Sequence, residues 1–322
     1  MNKTELTQNK VVVLAGGWSD ERDISMQSGE ACQDALKQAG FETVDLVDVA
    51  SPDFIKTLTE GGYDVAYVAM HGHYGEDGCI QGLLEVLHMP YTFSGVLASA
   101  LSTEKEKAKD VCKAAGVPVP AGVTLPSDAK VSNAEANELV ERLGLPLFVK
   151  PTANGSSFGI TRVTEASQLA GAVEKAGSEG DRVLVEECIQ GTEITVPVIG
   201  NDDPQVLPIV EIAFDSEFYD LKVKYEPAAL HHVMPARISE ESYKKAEEYA
   251  RRAYKALGCR GASRIDFIVK EDGTPVMLEN NCIPGMTKSS LLPDSARHAG
   301  IEFPELCKKF VAWALEDAHQ EA

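Results

Sequence analysis

The sequence holds no long apolar run. Nothing in it approaches the eighteen or so consecutive apolar residues of a membrane-spanning helix. Basic residues are scarce, with 30 Lys+Arg against 50 Asp+Glu and a formal net charge of −20. A surface of that sign repels nucleic-acid phosphates and anionic membranes, so neither is expected as a partner. A local basic pocket for an anionic small molecule remains compatible with it. Cysteine is sparse and irregular, at positions 32, 79, 112, 188, 259, 282 and 307, with no CxxC pair and an odd total. That pattern excludes a disulfide frame or a zinc site and reads as reduced, mostly buried thiols. The opening MNKTELTQNK is polar and lacks the apolar core of a secretory signal, so the expected location is cytoplasmic. A Walker loop, GxxxxGK[ST], is missing. So is the GxGxxG fingerprint of a dinucleotide site, which removes a nicotinamide-dependent dehydrogenase.

What is present suits a globular enzyme. The 322 residues are 44% apolar and 25% charged, enough for sizeable cores and about two domains at roughly 150 residues each. The first ninety residues alternate apolar runs (Val11–Ala15, Glu42–Val49, Val65–Met70) with helical stretches, one of them opening at Ser51-Pro52. This β-α-β-α-β order predicts a parallel sheet covered on its faces. Beyond Gly95, Thr103-x-x-Glu106 and Ser132-x-x-Glu135 predict capping boxes, each opening a helix. Leu147–Lys150 reads as a strand, as do stretches near 192–199 and 205–213. A long helix is expected after Ser239, then a hairpin turning at Asp272-Gly273.

Three features carry chemistry. Gly155-Ser156-Ser157-Phe158-Gly159 follows Lys150 at a strand end, where small residues and hydroxyls let backbone N–H groups approach phosphate oxygens; a plain turn is the other reading. The hairpin strands carry Arg264 and Asp266 on one face and Glu279 and Asn281 on one face, because side chains alternate. Paired across the turn, they gather two carboxylates and a carboxamide, a donor set suited to Mg²⁺, or else a solvated polar face with one salt bridge. His71 stands just past a buried strand, as either a structural or a functional histidine. Cys282 has no evident base partner and is not expected to be a nucleophile. Lys105, Lys107 and Lys109 read by themselves as the wet face of a helix.

Together these segments resemble the D-alanine–D-alanine ligases of the ATP-grasp superfamily through nearly the whole chain. The resemblance is carried by Gly16-Gly17-Trp18-Ser19-Asp20-Glu21-Arg22-Asp23-Ile24-Ser25 and by His71-Gly72-His73-Tyr74-Gly75-Glu76-Asp77-Gly78. It continues through Pro90-Tyr91-Thr92-Phe93-Ser94-Gly95, the Lys150-Pro151 strand end with its glycine-rich loop, and Glu279-Asn280-Asn281-Cys282-Ile283-Pro284-Gly285. It implies a three-domain α/β ATP-grasp architecture with an N-terminal doubly wound parallel sheet. The implied domains are 1–94 (substrate binding), 95–186 (central ATP-grasp unit) and 187–322 (catalytic and metal-binding unit). It also implies ATP as co-substrate, two Mg²⁺ ions (or Mn²⁺) and a homodimer.

Site roles follow from the same resemblance. Lys105, Lys150, Ser157 and Lys224 are expected at the phosphates, and Glu186, Cys188, Ile189 and Glu193 at adenine and ribose. Asp266, Glu279 and Asn281 are expected to hold the metal. Glu21 and His71 would receive the first D-alanine, and Ser290 and Leu291 the carboxylate of the second. Glu21, Ser156 and Tyr225 form the implied bridge between substrate site and nucleotide loop, while Arg264 and the Gly285 N–H face the oxyanion. D-Lactate or D-serine is the alternative second substrate. A nucleotide-binding protein without ligase activity is the rival of another class, and Glu21, Arg264 and Ser290 argue against it because ATP binding needs none of them. The chain departs from the family pattern at Asn280, expected on the outer strand face, at Cys282 and at Cys188.

Overall fold

Val11–Ala15 forms β1, five fully buried apolar residues at the centre of a three-stranded parallel sheet. β2 (Val44–Asp48) pairs on one side and β3 (Val65–Val68) on the other. A parallel strand covered on both faces needs side chains that tolerate burial everywhere, hence the unbroken apolar run. The computed structural model describes residues 6–153, 159–214, 230–287 and 289–321. One face of the sheet carries α1 (Arg22–Gln38), which buries Ser25, Ser28, Cys32, Ala35 and Leu36 at helical spacing. α2 (Phe54–Glu60) opens two residues later than Ser51-Pro52 predicts, with Asp53 as N-cap. α3 (Cys79–Val86) follows the third strand.

Two helices come next, α4 (Val96–Thr103) and α5 (Lys105–Ala114). The capping box expected at Thr103 is not formed. Glu104 is the N-cap residue, no side chain caps the helix, and the Thr103 hydroxyl donates instead to the Glu76 carbonyl at 2.8 Å. Ser132 does form its box with Glu135, opening α6 (Asn133–Leu143). The central antiparallel sheet runs β4 (Gly122–Pro126), β7 (Arg182–Glu187), β5 (Leu147–Pro151), β6 (Thr161–Val163), backed by α6 and α7 (Leu169–Gly177).

The largest sheet contains β8 (Thr192–Ile199), β9 (Gln205–Val206), β10 (Val210–Phe214), β11 (Leu230–Val233), β12 (Ala262–Val269) and β13 (Pro275–Asn281). α8 (Glu240–Leu257) packs on it, capped by Ser239 and stopped by the left-handed Gly258. Its stripe of Ala246, Ala250, Ala253, Tyr254 and Leu257 meets Ile194, Val196, Ile265, Phe267 and Met277 from the sheet. Burying a side chain as large as Leu257 or Ile265 contributes about 2 kcal/mol. α5 joins the same core through Ala108 and Cys112. α9 (Leu291–His298) and α10 (Phe303–Glu321) complete the chain. Leu306, Cys307 and Phe310 of α10 share the core of the first sheet, so the C-terminus closes back on the N-terminal unit.

Candidate active site

Strand alternation builds the floor of the site. In the antiparallel pair β12–β13, Arg264 stands opposite Asn281 and Asp266 opposite Glu279; the register then shifts by one residue after Asp266. On the other side of β12, Thr195 of β8 pairs with Asp266. One face therefore carries Thr195, Asp266, Glu279, Arg264 and Asn281, while Ile265, Phe267 and Met277 point into the core. The Arg264 guanidinium grips Asp266 at two points, 3.1 and 3.0 Å, and the Thr195 hydroxyl donates to the same carboxylate at 2.5 Å. Burial opposes charge on Arg264, but the adjacent Asp266 carboxylate outweighs it and raises the guanidinium further above its ordinary value. The Asn281 Oδ1 accepts from the Ile283 N–H at 3.0 Å, which fixes its carboxamide.

The wall opposite comes from the N-terminal unit. Glu21 is the N-cap residue of α1 but its side chain makes no capping bond; its carboxylate lies against Gly72 instead, where a Cβ would stand 2.9 Å from Oε2, at a φ of +73°. The Ser19 hydroxyl donates to the His71 carbonyl at 2.7 Å, which joins two segments fifty residues apart. His71 is buried, 3.0 Å from the Ser28 hydroxyl and 3.6 Å from Glu76 Oε1. Ser28 also accepts from the Met286 N–H at 3.3 Å, tying the segment after β13 to this wall. Gly285 lines the site, and a Cβ there would meet the Ser290 Oγ at 3.0 Å. Ser290 is the N-cap of α9 and Leu291 its first residue.

A cleft of about 490 Å³ results, lined by Glu21, His71, Lys105, Arg264, Glu279, Asn281 and Gly285 among others. Lys105 begins α5, is buried, and approaches Glu279 Oε2 at 3.7 Å. Burial lowers its affinity for a proton against the pull of Glu279. Lys150, on β5, and Lys109, one turn on from Lys105, both pair with the Glu186 carboxylate on β7. All three side chains are almost wholly buried. For Glu186, burial favours the neutral acid, but Lys150 and Lys109 outweigh it and hold the carboxyl below its usual range. Burial, together with the charge of Lys150, brings Lys109 down to about 8. Cys188 and Ile189 follow β7, half-buried, and Glu193 sits on β8 opposite Ile268.

Several expectations meet the structure differently. The wet-face reading of the lysine run holds for Lys107 only; Lys105 and Lys109 are 7% and 6% exposed. Their i, i+4 spacing was the available signal. Asn280 is on the opposite strand face, as expected, yet it is buried rather than external. Its amide donates to Ser102 at 2.7 Å and to the Cys259 sulfur at 3.5 Å, and its oxygen accepts from Ser263 at 2.5 Å. Burial pushes the Cys282 thiol far up, which suits packing rather than nucleophilic attack. Ser156, Ser157, Lys224 and Tyr225 lie outside the described residues. Ser28, Glu76 and Thr195 support the site, and Lys109 stands behind it on Glu186, without having been singled out as site residues from the sequence. Among the described residues no three His, Cys, Asp or Glu side chains cluster as a metal site; the candidate donors are two carboxylates and a carboxamide. No helix among them is long and apolar enough to cross a membrane.

A parallel N-terminal sheet, two antiparallel sheets and a charged cleft between them define the ATP-grasp architecture. Residues 49–94 match the family model described as the D-ala D-ala ligase N-terminus, and 111–312 the one for its C-terminus. A D-alanine–D-alanine ligase of Pelotomaculum thermopropionicum is 43% identical over 311 residues, covering 96% of this chain and 97% of that protein. The Bacillus anthracis D-alanine–D-alanine ligase, solved in complex with ATP, superposes with a TM-score of 0.84 at 29% identity over 98% of this chain and 100% of that one. The VanG D-Ala:D-Ser ligase of Enterococcus faecalis superposes at 0.81 with 30% identity, over 95% and 99%. The chain belongs to the D-alanine–D-alanine ligase family.

Proposed function

We propose that this chain joins two D-alanine molecules at the expense of ATP, through an acyl phosphate. One observation carries the reading: a carboxylate fit for an ammonium group (Glu21), a guanidinium fit for an oxyanion (Arg264) and a phosphate-side lysine (Lys105) open on the same cleft. ATP binding alone has no use for the first two.

A carboxylate is a poor acyl donor because its oxygen leaves badly. Glu21 receives the ammonium of the first D-alanine, with His71 beside it, so that its carboxylate faces the γ-phosphate. Attack there breaks the bond to ADP and forms the mixed anhydride, while Lys105 and Lys150 balance the charge spread over the phosphoryl oxygens. The α9 N-terminus, with Ser290 and Leu291, takes the carboxylate of the second D-alanine, where backbone N–H groups and the helix dipole favour an anion. Its amine, once deprotonated, attacks the activated carbonyl. Arg264 and the Gly285 N–H stabilise the oxyanion, a single such donor being worth about 3 kcal/mol in comparable sites. Phosphate leaves with the bonding pair.

Asp266, Glu279 and Asn281 are hard oxygen donors at adjacent register positions on one face, and they fit magnesium. They would hold it, and bound there it would supply positive charge to the triphosphate. Glu186, Cys188, Ile189 and Glu193 stand along the β7–β8 connection as the adenine and ribose side of the site. A homodimer in the cytoplasm completes the proposal, as the family resemblance implies.

Incubation with ATP, Mg²⁺ and D-alanine, following ADP and dipeptide together, tests the reading. Equal yields of both products are expected; ADP and phosphate without dipeptide refute it. Parallel reactions with D-serine and D-lactate decide the acceptor.

A further inference from the structure

Lys105, Lys109 and Lys150 are buried close to the buried carboxylate of Glu186, while the more exposed Glu279 reaches Lys105 from the cleft side. Glu186 is 2% exposed, with Lys109 and Lys150 on its two oxygens. The two lysines are anchored differently. Lys109 stands on α5 between Ala108 and Cys112, both locked in the core beneath α8. Lys150 is near the end of β5, where the chain leaves the sheet for the glycine-rich segment. A lysine that swings to a phosphate must leave its carboxylate behind. A buried carboxylate deprived of its cation is strongly disfavoured. Glu186 has a second cation, so it is never stripped.

We propose that Lys109 is a positioning residue for nucleotide binding: it stays on Glu186 as a fixed counter-charge and frees Lys150 to exchange Glu186 for an ATP phosphate. The inference rests on the ATP-dependent reading given above. Lys109 itself touches no substrate. Without it, Glu186 holds Lys150, and ATP has to compete with that ion pair.

Binding of ATP to the full chain and steady-state kinetics test this on Lys109→Met and Lys109→Arg. ATP affinity and the KM for ATP should weaken about tenfold or more in Lys109→Met. Turnover at saturating ATP and the KM for D-alanine should stay within about twofold. Lys109→Arg, which keeps the charge, should restore most of the affinity. In a Glu186→Gln background the Lys109→Met effect should largely vanish, since no carboxylate then needs compensation. A merely structural lysine would give equal losses in all parameters, and that pattern overturns the proposal. If Lys109→Met does not fold, Lys109→Gln decides: weakened ATP binding supports the idea and wild-type affinity ends it. A wild-type chain that binds no ATP brings down the functional reading and the proposal with it. Wild-type binding with an unaltered Lys109→Met brings down the proposal alone.

Discussion

Arg264 and Asp266, two residues apart on β12, are locked in a two-point contact, Nε to Oδ1 at 3.1 Å and Nη2 to Oδ2 at 3.0 Å. Strand alternation puts both on the cleft side, and burial strengthens their attraction. The contact unites the group proposed to meet the oxyanion with a group proposed to meet the metal.

Arg264→Ala should therefore lower turnover by about two orders of magnitude, as loss of an oxyanion donor does elsewhere, while ATP affinity stays near wild type. Single-turnover dipeptide formation beside equilibrium ATP binding checks this. Unchanged turnover would remove Arg264 from the chemistry.

Asp266→Asn keeps the size of the side chain and the Thr195 contact but removes its charge. Activity should fall to near background at every Mg²⁺ concentration tested, and circular dichroism should match wild type. Full activity that titrates with Mg²⁺ as before would dismiss Asp266 as a ligand.

Asn280 concerns stability. Its amide satisfies Ser102, Ser263 and Cys259 in a buried network joining α4, β12 and β13. Asn280→Leu should cost about 1 kcal/mol, since the buried Ser102 and Ser263 hydroxyls each lose one hydrogen bond and keep another, to the Ala98 and Asn281 carbonyls. Urea denaturation would read it as a lower midpoint with an unchanged slope. A midpoint equal to wild type would mean the network adjusts without loss.

Acid stability should depend on Asp48. The hydrogen-bonded Arg22 holds this carboxyl down at about 2, against an ordinary 3.8. A depressed carboxyl stabilises the fold above its unfolded value, so the contribution is complete above about pH 4 and disappears as pH falls through about 2. Asp48→Asn should flatten the stability curve across that interval. Parallel curves for variant and wild type would show the pair to be without weight.

Much of this was legible beforehand because local rules govern it. The run Val11–Ala15 could only be a strand covered on both faces, and Ser132 with Glu135 opens a helix as its spacing predicts. The hairpin placed Arg264, Asp266, Glu279 and Asn281 on one face, and the register bears that out. Thr103 misled, because the same hydroxyl found a better acceptor in Glu76 from a distant loop. Asn280 and Lys109 misled for a related reason: polarity suggests water, whereas burial depends on what the rest of the chain lays over a position.

Residue order alone thus determined the strands, the alternation that sorts core from cleft, and the polar segments that make up the site, since each depends on neighbours close along the chain. Only tertiary packing decided which of those segments meet. It set Glu21 against Gly72, bound His71 to the segment after β13 through Ser28, and buried two lysines on a single glutamate. Charge compensation in a low-dielectric interior acts between groups far apart in sequence, and no local pattern encodes it.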